Sequence, residues 1–149
     1  MLELLYEPVT DRDAALELGL RQPDTDAIFT SDAAEALETV AIAFFGSDVP
    51  IFHDWRLRDC DYGVLSGAPA QELEPEKHVD VPYPGGESYR DVVTRIDSFL
   101  HDLRRGWDGK RVLVVSHAAP GLAIEHLLDG VPLEGRRFDP PSRRAFSVP

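Results

Sequence analysis

Cysteine is almost absent from this sequence of 149 residues, and long apolar runs are missing altogether. Cys60 stands alone and therefore has no partner for an internal disulfide. The first residues do not form a basic region followed by an apolar core, and no apolar stretch reaches the length that crosses a membrane. We therefore expect a cytoplasmic protein without a membrane partner.

Basic residues are also scarce, since the formal net charge is -12 and the sequence pI is near 4.7. This balance argues against a nucleic-acid partner, because such binding depends on clustered lysine and arginine that neutralise phosphates. Four arginines do collect near the C-terminal end, at Arg136, Arg137, Arg143 and Arg144. We interpret them as a solvated tail in a Pro/Arg-rich segment and not as an anion-binding patch.

The chain shows neither an internal repeat nor a boundary between domains, so we predict a single domain over residues 1–149. Hydrophobic periodicity predicts strands at 2–6, 27–30, 49–52, 111–115 and 145–148, and helices at 11–20, 33–45, 88–105 and 121–128. Strands that alternate with helices predict an α/β fold with a mostly parallel sheet covered on both faces. Residues 54–84 form an irregular insertion with at most a short helix near 71–73. A connection of that length is usually functional or disordered.

His117 is the most informative single residue, because the apolar strand at 111–115 ends in Ser116-His117. Ligands of open α/β sheets bind at the carboxyl ends of strands. The alternative is an imidazole that only hydrogen-bonds nearby backbone at a strand-to-helix turn. The rest of the chain has to decide between the two.

Four segments carry a resemblance when they are considered together. They are residues 31–39 after the second strand, 57–67 after the third, 84–88 at the start of the long helix with Arg95 beyond it, and 114–117. In this order and spacing they resemble the histidine phosphatase superfamily, in its phosphoglycerate mutase-like branch, over about residues 28–130.

The resemblance implies a three-layer α/β/α sandwich with a phosphate pocket at the carboxyl ends of the strands. Family members carry an Arg-His-Gly motif after the first strand, a second arginine, a carboxylic acid and a second histidine. The first histidine attacks phosphorus. The guanidiniums and the second imidazole hold the oxygens, and the acid protonates the leaving group.

This chain departs from that pattern at the first motif. Tyr6 stands at the position of the arginine, Glu7 at the nucleophilic histidine and Pro8 at the glycine. The loop that normally follows is much shortened, because Thr10 leads directly into the first predicted helix. No other Arg-His pair exists in the chain, so no second alignment restores the motif.

The later positions are partly kept. Glu35 stands where the second arginine is expected, Asp59 stands at the acid, one methylene shorter, and His117 matches outright. Three carboxylates around one imidazole would repel a phosphate, so a neutral or cationic small-molecule ligand is favoured. Three arginines with no counterpart in the family pattern are candidates to compensate, namely Arg12, Arg58 and Arg90.

We therefore hypothesise a degenerate family member without phosphohistidine chemistry that acts as a binding or regulatory domain and needs no cofactor. Its predicted catalytic positions are His117, Asp59 and Glu7, and its predicted ligand-binding positions are Glu35, Thr10 and Ser116. One alternative is an enzyme in which His117 works with Glu7 or Asp59 as acid and base, or in which these groups hold a divalent metal. A second is a weak phosphatase on a small phosphate ester.

Simpler roles exist for several of these residues. Glu7 and Glu35 are of a type that is ordinarily solvated, and Thr10 is suited to cap the first helix. Ser31 and Asp32 are expected to supply a capping residue for the second helix. The other four histidines lack the paired spacing of metal ligands, so no metal site is assigned.

Overall fold

Five strands and four α-helices alternate along the chain in a computed structural model that describes residues 1–135, 138 and 141–149. The strands are β1 (Leu2–Pro8), β2 (Ala27–Thr30), β3 (Ile51–His53), β4 (Arg111–Ser116) and β5 (Arg144–Val148). The helices are α1 (Arg12–Arg21), α2 (Ala34–Ala43), α3 (Tyr89–Trp107) and α4 (Ala118–Asp129). None of these helices is long and apolar enough to cross a membrane.

The strands form one sheet in the order β3-β2-β4-β1-β5, with β4 in the middle. All neighbours are parallel except β5, which runs antiparallel to β1. The predicted α/β sandwich is confirmed. Because Ser116 is the last residue of the central strand, His117 leaves the sheet at its carboxyl edge, flanked by the ends of β1 and β2.

The two faces of the sheet bury different residues, as the alternation of side chains along a strand requires. Val112 and Val114 of β4 pack with α3 and α4, whereas Leu113 and Val115 pack with α1 and α2. All four are at most 2% exposed. Burial of a valine or leucine side chain contributes about 1.5–3 kcal/mol, so β4 ties the two layers together.

Helix α3 follows its sequence pattern closely. Its six apolar positions are all buried: Val92, Val93, Ile96, Phe99, Leu100 and Leu103. Ser88 caps the helix by accepting from the Asp91 amide, and the Asp91 carboxylate accepts from the Ser88 amide. This capping box satisfies two amides that the first turn leaves unpaired.

Three helix starts differ from expectation. Helix α1 is capped by Asp11, whose carboxylate accepts from the Ala14 amide at 2.8 Å, and not by Thr10. Helix α4 begins at Ala118 and not at residue 121, because Pro120 falls within the first turn, where its missing N–H costs nothing. The N-cap of α2 is Ala33, and the Ser31 hydroxyl is bonded to His117 in addition to the Ala33 amide. Ser31 thus does not cap α2 in the expected way.

Residues 54–84 contain four short 3-10 helices, at Trp55–Leu57, Gly63–Leu65, Ala70–Glu72 and Pro75–Lys77. The predicted short helix near 71–73 corresponds to the third. Aromatic contacts hold this segment, since the Tyr83 ring stacks on His78 with centroids 3.8 Å apart and packs edge-on against Tyr62 at 5.2 Å. The long connection is therefore packed against the domain.

Candidate functional site

His117 lies at the junction of β4 and α4, where it is the N-cap residue of the helix. Its side chain is 8% exposed. The imidazole Nε2 lies 2.7 Å from the Ser31 Oγ, and Nδ1 lies 4.0 Å from the Glu35 Oε1. Tyr6 donates its hydroxyl to the His117 carbonyl at 2.7 Å. Burial, helped by the Asp59 carboxylate, raises the pKa of Tyr6, so this hydroxyl stays protonated and able to donate.

Glu35 approaches His117 from the first turn of α2, with its side chain 63% exposed. Among the described residues it is the one acid within 4.0 Å of the imidazole nitrogens. It lines a cavity of about 100 Å³ that Thr10 and Arg12 also line. Two of the predicted ligand-binding residues, Glu35 and Thr10, therefore share one cavity.

Glu7 lies elsewhere, because β1 continues to Pro8 and Glu7 is a strand residue opposite Val115. Its carboxylate is buried and accepts from Arg21 at 3.1 Å and from Arg143 at 2.9 Å. It lines a separate cavity of about 200 Å³ beside α1 and β5. The structure thus gives Glu7 two guanidinium partners and does not bring it within ion-pair distance of His117.

The two described arginines of the predicted solvated tail are partly exposed and are also ion-paired. Arg143 pairs with Glu7 and Glu17, and Arg144 of β5 pairs with Asp129 at 2.5 Å. These contacts fasten the C-terminal strand to α1, β1 and α4. Arg136 and Arg137 lie outside the described residues.

Asp59 lies at the N-terminus of α4, the helix whose N-cap is His117. Its Oδ1 accepts from the Ala119 amide at 3.1 Å, where the partial positive charge of the helix end favours a carboxylate. It lines a third cavity, of about 520 Å³, together with Trp55 and Tyr62. The predicted acids Glu7, Glu35 and Asp59 thus line three different cavities.

Arg95 fixes the loop that carries Asp59. Its buried guanidinium donates to the carbonyl oxygens of Arg56, Arg58 and Asp59 at 2.6–2.8 Å, and it pairs with Glu87 at 2.9 Å. Five N–H donors in a rigid fork suit this task, which no lysine could perform.

Ser116 serves the same loop. Its hydroxyl is fully buried and donates to the Leu57 carbonyl at 2.7 Å. The predicted ligand-binding role of Ser116 therefore has no exposed polar atom to support it.

Glycine is required at position 63 of the same loop, because a Cβ there would lie 2.0 Å from the Pro84 carbonyl oxygen. Two of the segments recognised in the sequence are thus in direct backbone contact.

A family model for the histidine phosphatase superfamily, branch 1, matches residues 12–144. The chain belongs to this superfamily. The resemblance seen in the four sequence segments is confirmed. The match begins after Tyr6, Glu7 and Pro8, so it does not cover the first-strand motif.

Two curated relatives are 2,3-bisphosphoglycerate-dependent phosphoglycerate mutases. The protein from Methylobacterium sp. (strain 4-46) is 36% identical over 124 residues, which is 73% of this chain and 60% of that protein. The protein from Methylocella silvestris is 35% identical over 119 residues, which is 70% of this chain and 58% of that protein. The chain thus spans about three fifths of the length of these relatives.

Solved structures give the same fold. YhfR of Bacillus stearothermophilus superposes with a TM-score of 0.74 at 24% identity, covering 89% of this chain and 81% of that one. A mycobacterial glucosyl-3-phosphoglycerate phosphatase superposes with a TM-score of 0.65 at 24% identity, covering 89% and 80%. At this identity the likeness establishes the histidine phosphatase fold and nothing finer.

Sequence reasoning missed one residue of this histidine phosphatase site. Ser31 is fully buried and makes the single hydrogen bond to the His117 ring found among the described residues. The sequence does show that Ser31 directly follows β2, just as His117 directly follows β4, so both residues lie at the carboxyl edge of the sheet. Nothing local in the sequence shows that β2 and β4 are neighbours, so the contact could not be inferred.

Proposed function

We propose that this chain is a histidine phosphatase-family domain that has lost phosphohistidine chemistry and acts as a binding or regulatory domain. The observation that carries the proposal is the state of Glu7. A carboxylate, buried between Arg21 and Arg143, stands where the sequence alignment places the nucleophilic histidine. A carboxylate held by two guanidiniums is a poor substitute for a neutral imidazole facing a phosphate.

The remaining histidines support this proposal by their positions. His53 lies in β3, His78 follows the last 3-10 helix, His101 lies within α3, and His126 is near the end of α4 and contacts the Val131 carbonyl. None of the four lies at the C-terminal end of β1, where the family's nucleophilic histidine is expected. None of them offers the second imidazole that the family chemistry uses beside His117.

Charge near His117 supports a neutral or cationic ligand. Glu35 occupies the position where the resemblance calls for an arginine, and like charges about 4 Å apart repel by roughly 1–4 kcal/mol at surface-like dielectric. Arg58 is engaged by Asp32, and Arg90 is engaged by Asp80 and Glu134. Two of the three candidate arginines are therefore already ion-paired with carboxylates.

Vanadate, a phosphate analogue, provides the test. Wild-type protein is expected to bind it weakly in calorimetry and to hydrolyse p-nitrophenyl phosphate at the buffer rate. Glu35→Arg changes the local charge by two units and should strengthen vanadate binding at least about fivefold. Asp97→Arg makes the same change at an exposed position of α3, outside the cavity that Glu35 lines, and should have a smaller effect. Tight vanadate binding or robust hydrolysis by the wild type would refute the proposal.

A weak phosphatase is the second candidate function, and Arg12 is the observation in its favour. Its side chain is exposed, has no ion pair among the described residues and lines the cavity of Glu35 and Thr10. The names of two relatives concern phosphoglycerates, so 3-phosphoglycerate is the substrate to try. If hydrolysis is seen and Arg12→Ala reduces it at least tenfold, this candidate replaces the first.

The acid/base and metal alternatives have little geometric support. Glu7 and Asp59 are hydrogen-bonded to other groups and lie beyond ion-pair distance from His117. The described residues also contain no group of three or more histidine, cysteine, aspartate and glutamate side chains placed to hold a metal.

A further inference from the structure

We propose that Ser31 is a positioning residue that fixes the neutral imidazole of His117 in the tautomer with its proton on Nδ1. The Ser31 Oγ lies 2.7 Å from the Nε2 of His117, a normal length for a strong hydrogen bond. Either atom is able to donate in such a contact, so the direction has to be found from the other partners of each group.

The hydroxyl of Ser31 has one hydrogen and two lone pairs. Its oxygen also accepts from the Ala33 amide at 3.3 Å, which uses one lone pair. If Nε2 donated as well, both lone pairs would be occupied. The hydroxyl hydrogen would then have no acceptor among the described residues, in a side chain that is 0% exposed.

The opposite direction satisfies both groups of this contact, and the Nδ1 nitrogen is not one of the fully buried side-chain atoms that lack a partner among the described residues. Ser31 donates to Nε2, its oxygen accepts from Ala33, and the imidazole carries its proton on Nδ1. Buried polar groups in folded proteins are almost always paired, so this arrangement is strongly preferred. The backbone of His117 is held as well, by the Tyr6 hydroxyl on its carbonyl and by the first turn of α4.

The tautomer determines what His117 offers. Nδ1 is the nitrogen on the side of Glu35, 4.0 Å from its Oε1. With a proton there, neutral His117 presents a hydrogen-bond donor and has no lone pair on that side for taking a proton or attacking phosphorus. An acceptor atom of a ligand, such as a hydroxyl or carbonyl oxygen, is the group that this nitrogen would bind.

Nitrogen-15 NMR of uniformly labelled protein tests the assignment without any activity assay. At about pH 8.5 an ordinary imidazole is neutral, and a protonated ring nitrogen is distinguished from an unprotonated one by its chemical shift. The signals that disappear in His117→Asn belong to His117. We expect Nδ1 to be the protonated nitrogen in the wild type, and protonated Nε2 would overturn the proposal.

Three variants separate Ser31 from its surroundings. Ser31→Ala should shift the ring toward the Nε2-protonated form. Ser116→Ala removes a buried hydroxyl beside His117 that does not touch the ring, and it should leave the tautomer unchanged. Glu35→Gln, at an exposed position, should also leave it unchanged. If Ser31→Ala does not fold, a shift in Glu35→Gln would overturn the assignment to Ser31, and an unchanged tautomer there supports it. The result stands apart from the proposed function, which vanadate and hydrolysis assays decide.

Discussion

Arg95 and Glu7 are two buried charges that are stabilised in different ways. Arg95 is paired with one carboxylate and with three backbone carbonyls, so it fixes the shape of a loop. Glu7 is paired with the side chains of Arg21 and Arg143, which join three elements without shaping any loop. The first charge lies among segments that match the family, and the second lies where the chain departs from it. The comparison teaches that the loop beside His117 is fixed through its backbone, whereas Glu7 is held by side chains alone.

The largest expected effect is that of Arg95→Ala. It leaves three backbone carbonyls without their donor and leaves the Glu87 carboxylate with the Asp61 amide alone, so we expect the free energy of unfolding to fall by about 3–5 kcal/mol. Urea denaturation measures this. Arg90→Ala is the control, because Arg90 pairs with Asp80 and Glu134 at the surface and should cost at most about 1 kcal/mol. Equal losses of unfolding free energy in Arg95→Ala and Arg90→Ala would show that Arg95 does not fix the loop.

Glu7→Ala should cost less, about 1–3 kcal/mol. The guanidiniums of Arg21 and Arg143 are 31% and 48% exposed, so both regain water when the carboxylate is removed. Glu3→Ala is the matched control in the same strand, where the pair with Arg111 is exposed and worth at most about 1 kcal/mol. A loss as large as that of Arg95→Ala would show that Glu7 organises more than its two partners.

Asp59→Ala removes the carboxylate from the Ala119 amide and should cost about 1 kcal/mol. Asp59→Asn keeps an acceptor and loses the charge, so its loss should be smaller. Thermal unfolding of the two variants provides the measurement. If Asn costs as much as Ala, the carboxylate acts through its charge and not as an acceptor for the helix end.

Modification of the Cys60 thiol measures how often the loop that carries Asp59 opens. Near neutral pH the titration of this thiol should not affect the free energy of unfolding. Burial raises the pKa of its thiol from 9.0 to about 12, so iodoacetamide should react slowly at pH 8 until urea unfolds the chain. Above about pH 9 the unfolded thiol loses its proton and the folded one keeps it. The titration of this thiol therefore leaves the free energy of unfolding unchanged below about pH 9 and lowers it as the pH rises toward 12. Rapid modification of folded protein would show that the loop opens.

The elements themselves were predictable because their signals are local. The apolar stripe of α3 repeats at helical spacing, and the apolar run of β4 is bounded by charge on one side and Ser116-His117 on the other. The beginning of α4 lies three residues earlier than predicted, because Pro120 is tolerated in the first turn of a helix.

The site was less predictable because its contacts join distant parts of the chain. Arg143 reaches Glu7 only because β5 pairs antiparallel with β1, and Ser31 reaches His117 only because β2 lies beside β4. Strand order is a property of the whole fold, and a single sequence does not state it. The positions of Glu35 and His117 near one another followed from the family resemblance.

The packing of Tyr6 under α4 bears on how the chain could change in the future. A Cβ at Gly121 would lie 2.7 Å from atoms of the Tyr6 ring, and Tyr6 is 1% exposed with its hydroxyl on the His117 carbonyl. An arginine at position 6 would lose this ring packing and the hydrogen bond to the His117 carbonyl, so we expect such a variant to be less stable than the wild type. Tyr6 therefore couples the identity of a first-strand residue to the backbone position of His117.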